Sequence, residues 1–431
     1  MKKEKKKKEE KKDKKIDNIY DFKNDDFDEA EIDLNIYDNE IKKDENSKKV
    51  SDKFLKFHKK NSKLKIIILI IISILIVVLL ASYTTNETFR NYVDLYILGK
   101  QVTENSLKTV EINADENPLI FAYDSYVGVL SKNVLNLYNS NAASVSELSI
   151  DIPTAIVETS GKYAVIAKDA GNKFYVVHNT DIAWQGTVDG SISKVNINSN
   201  GYVTAIVSDS TYVSIVVVFN AEGTELFKIY LPSTYAMCAA ISTDNSYLAI
   251  GEIDYSGTVL KSNVRVYSTQ SAELIYNYSS DNNSIITNIK YYDKENAICT
   301  YTDSVVSVSS TGGNKIYTVS EDTCFTDCGM PENLVVLEKQ SSGLFSYEYN
   351  LKFISLNSNT ENLYILDNNL PSQLKVSDKL IALNYGNEVD IVNSNGTLKK
   401  NYTSTQQIKD VVVGDSIAGI IYKDKIEIMG V

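Results

Sequence analysis

The sequence predicts an all-β fold, an eight-bladed β-propeller, set behind one apolar helix and a charged N-terminal tail. Three observations predict it. A two-strand phrase recurs eight times, at a mean interval near 42 residues, in a chain of 431. A single run of Ile, Leu and Val stands near the N-terminus. Charge is segregated, with residues 1–65 at net +4 and residues 66–431 at net −16, within a total of −12. Seven blades is the alternative count, if one weaker unit is an insertion.

Residues 1–63 read as a disordered cytoplasmic tail. Residues 1–15 hold 10 Lys and 4 acids, 16–45 hold 3 Lys and 12 acids, and 46–65 hold 8 Lys and 1 acid. Such blocks bury too little apolar surface to offset chain entropy. The acidic block interrupts the basic ones, which argues against nucleic acid as a partner. Asn18-Ile19-Tyr20-Asp21 recurs as Asn35-Ile36-Tyr37-Asp38, 17 residues later. Around the second copy Ile32, Leu34 and Ile36 alternate with polar residues, a period that suits strand addition to the sheet edge of a cytoplasmic protein. These eight residues are the candidate partner site in the tail. Compositional accident is the other explanation of the repeat.

The segment from Leu64 to Tyr83 has 20 residues. As a helix it spans roughly 30 Å, the thickness of a bilayer core. Between Ile66 and Leu80 only Ser73 is not Ile, Leu or Val. An apolar surface all the way round argues for a membrane span over a buried soluble helix. More than 60 residues precede the run, and Ala81-Ser82-Tyr83 is a poor cleavage site, so a signal peptide is disfavoured. Lys53, Lys56, Lys59, Lys60, Lys63 and Lys65 precede the run, and Arg90 is the first basic residue after it. The positive-inside bias then places the N-terminus in the cytoplasm and residues 84–431 outside a single-pass cell membrane protein.

Two flanking segments carry weaker signals. Val50, Phe54 and Phe57 recur at helical spacing among lysines, so 48–65 reads as a basic interfacial helix or a solvated spacer. Residues 84–105 read as an interfacial helix and linker. Phe89, Tyr92, Val93, Tyr96 and Ile97 follow a helical stripe over 86–98, and Gly99 stands where a helix stops.

Residues 106–431 form the propeller. Tyr126-Val-Gly-Val followed by Val134-Leu-Asn-Leu-Tyr is one copy of the phrase; Tyr202-Val-Thr-Ala-Ile with Ile215-Val-Val-Val-Phe is another. Full units add an apolar strand on each side, as in Ile192–Asn198 and Thr224–Tyr230. Four strands in about 40–45 residues is the dimension of a propeller blade. The last unit, 406–431, runs out after three strands, while 106–113 is an orphan strand before the first unit. Pairing the two would seal the ring and remove its open sheet edges.

The anchor, the stretch Tyr92-Val-Asp-Leu-Tyr-Ile-Leu-Gly99 and the blade phrases together resemble an uncharacterised family of Gram-positive single-pass membrane proteins with an extracellular β-propeller, classed as a domain of unknown function. The resemblance implies a fold and a topology. It implies no activity and transfers no catalytic residue. The Gly-His and Trp-Asp marks of WD40 blades are missing, and Trp184 alone cannot supply the repeated tryptophans of quinone-dependent propellers.

The chemistry legible in the chain is sparse. Of 2 His, His58 lies in the tail, so a Ser-His-Asp triad would have to run through His178. His178 closes a strand beside Asn179-Thr180-Asp181 and reads as a loop histidine. Trp184 falls on an outermost strand and reads as packing between blades. Cys238, Cys299, Cys324 and Cys328 read as buried thiols acting as small hydrophobes, with a disulfide from Cys299 to Cys324 or Cys328 as the alternative, and their spacing fits no zinc site. Asp244, Asp281 and Asp293 sit in turns without a calcium-loop pattern, and no glycine-rich phosphate loop occurs. No catalytic residue, metal ligand or cofactor is assigned. The 29 Tyr suit strands and blade joints, and the pair Tyr291-Tyr292 is the candidate ligand-stacking site.

The function read from this is a non-enzymatic scaffold or receptor. Its propeller would bind a protein or envelope component and its tail a cytoplasmic protein. The alternative is an extracellular enzyme, a hydrolase with acids lining the channel. That reading needs two or more carboxylates in one pocket with their pKa values driven apart. No such set is legible in the sequence.

Overall fold

The structure, a computed structural model, describes residues 67–83, 93, 102–103, 107–281, 283–341, 347–358, 360–366 and 369–431. The tail with both Asn-Ile-Tyr-Asp copies, the basic segment 48–65 and all but one residue of the helix expected over 86–98 lie outside the described residues. The chain divides into two units, Met1–Ser82 and Tyr83–Val431. Residues 67–83 are helical, with Ile, Leu and Val side chains exposed on every side. No helix among the described residues is long and apolar enough to cross a membrane.

The larger unit is an eight-bladed propeller of antiparallel sheets, seven of four strands and one of five. The count is eight, and the seven-blade alternative falls. Blades 1 to 8 are numbered from the unit that begins at Leu119. In each, the chain runs from the innermost strand outward, as in Leu119–Tyr123, Tyr126–Ser131, Val134–Tyr138 and Ser144–Ser149 of blade 1. The second and third strands are the recurring phrase of the sequence. They are buried on both faces, which is why they read as continuous apolar runs. Outermost strands alternate, as in Asp181–Thr187 of blade 2, because one face meets water.

Tight turns join the strands, and several share one chemistry. Asn139, Asn198, Asn220 and Asn393 each accept, through Oδ1, from the backbone N–H groups two and four residues on. The residue three positions on is left-handed in every case: Ala142, Gly201, Gly223 and Gly396. The asparagine supplies the acceptor that fixes the turn, and glycine takes the positive φ without a Cβ penalty.

The core sits between blades. Eight apolar clusters fill the eight joints, each drawing buried side chains from two successive blades. Fully burying one Val, Leu, Ile or Phe contributes about 1.5–3 kcal/mol, so each joint is a substantial store of stability. Trp184 packs in the joint of blades 2 and 3, with its ring 5.2 Å from Phe174 and 5.7 Å from Phe219. Gly128, under the Phe121 ring, is a position where a Cβ would stand only 2.7 Å from the ring carbon.

The ring closes with strands from both ends of the propeller. Lys108–Glu111 pairs antiparallel with Lys425–Gly430, so blade 8 takes its outermost strand from before blade 1. Val110 is buried there, in a cluster shared with Val127 and Ile417. One feature departs from the helix-and-linker reading of 84–105. Val102–Thr103 forms a fifth strand on blade 7, parallel to Leu398–Thr403. Two residues carry no periodicity, so no pattern in the sequence marks them as a strand.

Candidate functional site

The innermost strands of all eight blades surround one cavity of about 590 Å³ on the propeller axis. The innermost strands of blades 3 to 6 share a feature that decides what the cavity presents. Each is bulged near its start, between Ile192 and Lys194, Ala236 and Cys238, Ile286 and Asn288, and Thr323 and Phe325. A bulge adds one residue and reverses which face the following side chains take. Ile192 and Ile286 are fully buried, and two positions later Lys194 and Asn288 line the cavity. The extra residue also satisfies the disturbed ladder. Ser193 Oγ donates to the Ile206 carbonyl and Thr287 Oγ1 to the Thr300 carbonyl, each at 3.1 Å.

Five carboxylates reach the cavity from five blades: Asp124, Glu158, Asp327, Asp378 and Asp415, with Asp124, Asp378 and Asp415 in turns after the innermost strands. Two lysines, Lys194 and Lys290, face them. Lys290 lies 3.3 Å from Asp378 Oδ1 and donates to the Gly329 carbonyl. Asp378 Oδ2 also accepts from the Gly161 N–H at 3.2 Å. Asp327 accepts from the Gly329 N–H.

The electrostatics differ from group to group. Burial, reinforced by the charge of Asp378 and more weakly by Asp124, pushes Asp415 up to about 6 against the opposing charge of Lys379 at 3.7 Å. Burial also raises Asp327, against its backbone hydrogen bond to Gly329 and the charge of Lys290. Glu158 is open to solvent in the cavity yet ringed by protein, and this desolvation raises its pKa against the opposing charges of Lys194 and Lys290. A carboxylate set converging on one pocket, absent from the sequence reading, is therefore present. Among the described residues no group of His, Cys, Asp and Glu could hold a metal ion.

A second feature lies on the opposite face, where the loops join second to third strands. Tyr212 and Tyr230 of blade 3 pair with ring centroids 4.7 Å apart, and Tyr235 and Tyr255 of blade 4 with 5.3 Å. The Ala236 N–H donates to Ser214 Oγ at 3.1 Å and ties the two blades together between the pairs. Tyr230 is 50% exposed, Tyr235 52% and Tyr255 45%, and Met237 and Leu260 are exposed beside them in sequence. Aromatic rings held in pairs at a surface bury apolar area for a partner at little entropic cost.

Several sequence expectations need correction or placement. Tyr291 is 6% exposed, packs in the joint of blades 4 and 5 and borders the cavity, so little of its ring is left as a stacking platform. Its ring falls on the core side because the bulge at Thr287 reverses the strand's faces. Tyr292 is half-buried and borders the cavity. His178 stacks on Tyr163 at 4.3 Å, away from the cavity-lining residues. Three thiols, Cys238, Cys299 and Cys328, are buried with burial raising their pKa, but Cys324 is exposed, contrary to the expectation for all four. It occupies the bulge position of blade 6, turned out of the core. The signal missed for the cavity lysines was in the spacing of apolar residues: Ile192, Val195, Ile197 and Ile286, Ile289, Tyr291 step by three and then two.

Residues 100–431 match the sequence model of the family of unknown function DUF5711, over the whole propeller. The chain belongs to that family. No curated protein matches it by sequence. Among solved structures it is similar to BamB from Moraxella catarrhalis, with 11% identity and a TM-score of 0.44 over 75% of this chain and 99% of the other. It is similar also to the WD40 domain of SCAP from fission yeast, with 11% identity and a TM-score of 0.45 over 76% and 98%.

Proposed function

We propose that this member of the family is a membrane-anchored scaffold or receptor. Residues 64–83 hold it in the cell membrane, the propeller lies outside and binds a protein or envelope component, and the tail meets a cytoplasmic protein. The observation that carries the reading is the pair of tyrosine couples on one face of a closed ring, Tyr235–Tyr255 with both rings exposed and Tyr230 exposed against a half-buried Tyr212. Paired tyrosines left at a surface suit a partner that covers them. The anchor is supported by the Leu64–Tyr83 run and by the exposed apolar side chains of its described helical part.

One observation favours a second reading, a hydrolase. Burial and the charge of Asp378 push Asp415 up to about 6, while Lys290 and the Gly161 N–H hold Asp378, so two carboxyl groups in different surroundings share the cavity. One experiment separates the readings. The full chain carrying Tyr235→Ser and Tyr255→Ser should fold with an unchanged melting temperature and lose capture of envelope components from a cell-wall and membrane extract. Asp415→Asn should leave capture intact. Undiminished capture by the tyrosine double variant rejects the face; hydrolytic turnover lost in Asp415→Asn establishes the enzyme.

A further inference from the structure

The cavity contains two charged groups of opposite sign, Glu158 and Lys194, that feel each other's charge but close no ion pair. Among the described residues, neither the Glu158 carboxylate nor the Lys194 ammonium makes a hydrogen bond or an ion pair, although both line the cavity on neighbouring blades. The other charged groups there are engaged. Lys290 is held by Asp378 and the Gly329 carbonyl, Asp327 by the Gly329 N–H, and Asp415 faces Lys379.

Lys194 is placed on purpose in a structural sense. The bulge after Ile192 turns it inward, and Ser193 satisfies the carbonyl that the bulge frees. A bulge that costs a ladder hydrogen bond and directs a cation into a cavity is the kind of irregularity found beside binding sites. On the neighbouring blade Glu158 presents its carboxylate to the same cavity. Charged groups that line a cavity without a hydrogen-bonded or ion-pair partner are available to the opposite groups of a ligand.

The sign pattern narrows the ligand. A simple anion would meet five carboxylates, and a simple cation would meet Lys194 and Lys290. A molecule with an ammonium at one end and a carboxylate at the other meets each unpaired group with its complement. The volume of about 590 Å³ holds on the order of 20 waters, ample for a short peptide.

The geometry points to the channel as a binding site for a small zwitterion of the short-peptide class, with Glu158 taking the amine and Lys194 the carboxylate. Asn196 and Asn288 line the same wall and offer amides for a peptide backbone. The site is separate from the tyrosine face, and its failure would leave the reading of that face untouched.

The test is calorimetric titration of the full chain in detergent with trialanine, N-acetyl-trialanine and trialanine amide. Saturable binding of trialanine is expected, with each blocked form about tenfold or more weaker, as the loss of one charge-assisted contact requires. Glu158→Gln should remove the preference for the free amine and keep that for the carboxylate; Lys194→Gln should do the reverse. Tyr235→Ser should change neither. Absence of saturable binding of trialanine at millimolar concentration overturns the proposal, as does equal binding of the blocked peptides to the unaltered chain. The blocked peptides decide alone if either variant fails to fold. Variants that retain both preferences also overturn the residue assignment.

Discussion

At the scale of single residues, Asp415 shows how the ring loads one group. It sits half-buried in the turn after Asp410–Val413, near Asp378 and Asp124, and titrates at about 6 against an ordinary 3.8. Between these values the folded chain holds a proton that the unfolded chain has released. Stability therefore falls as pH rises through this window, and above it the ionised carboxylate is a fixed cost. The cost is roughly 3 kcal/mol at most, by the energy of a pKa difference. Asp415→Asn should raise the melting temperature by a few degrees at about pH 7.5 and give no gain at about pH 4, where wild type is already neutral. Scanning calorimetry of the two chains across pH checks this. A gain of equal size at both pH values would assign the effect to packing. The buried Glu427 carboxylate, by contrast, is matched on both oxygens: Tyr402 donates to Oε2 at 2.6 Å and Lys425 to Oε1 at 2.7 Å.

At the scale of elements, the closing strand and the bulged strands behave differently under sequence reading. The strand Lys108–Glu111 covers the edge of Lys425–Gly430 and buries Val110 against blade 1. A fragment of residues 114–431 should melt several degrees below one of residues 100–431 and aggregate through the bared edge. Equal melting and solubility would remove the strand from any closing role. Its alternation of Val110 and Ile112 with Thr109, Glu111 and Asn113 was legible as an orphan strand because period two survives in a lone segment. The innermost strands of blades 3 to 6 were harder to read. Their bulges shift the period in mid-strand, so Lys194 and Lys290 pass for solvent-facing residues unless the step of three is noticed. Tyr291 was misplaced for the same reason.

At the scale of the whole molecule, charge and hydropathy bear on how the chain meets the cell. The lysines just before Ile66, with Arg90 the first basic residue after the apolar run, favour an outward propeller. Protease added to intact cells should therefore remove the propeller and leave residues 1–60 protected. Cleavage of the tail with the propeller intact would reverse the orientation. The closed ring also sets what a partner can reach. It offers the channel mouth with Asp124, Asp378 and Asp415 in its turns, and the face with the tyrosine couples, on opposite ends of the blades.

By itself the sequence determined the fold class and narrowed the number of blades to eight or seven, and the ring itself decided eight. The class and the narrowed count follow from hydrophobic period and from repetition, which are local properties and survive without knowledge of contacts. It determined also where the one long apolar run lies. Only the tertiary structure decided the channel. Asp124 and Asp415 are nearly 300 residues apart in the chain and become neighbours because the ring closes, so that the Asp415 N–H reaches the Asp124 carbonyl at 2.7 Å. Convergence of that kind has no local signature. The sides taken by Lys194, Asn288 and Tyr291 were likewise decided by bulges, whose effect is to reverse a strand's faces, and the tyrosine couples by loops that bring Tyr212 to Tyr230 and Tyr235 to Tyr255.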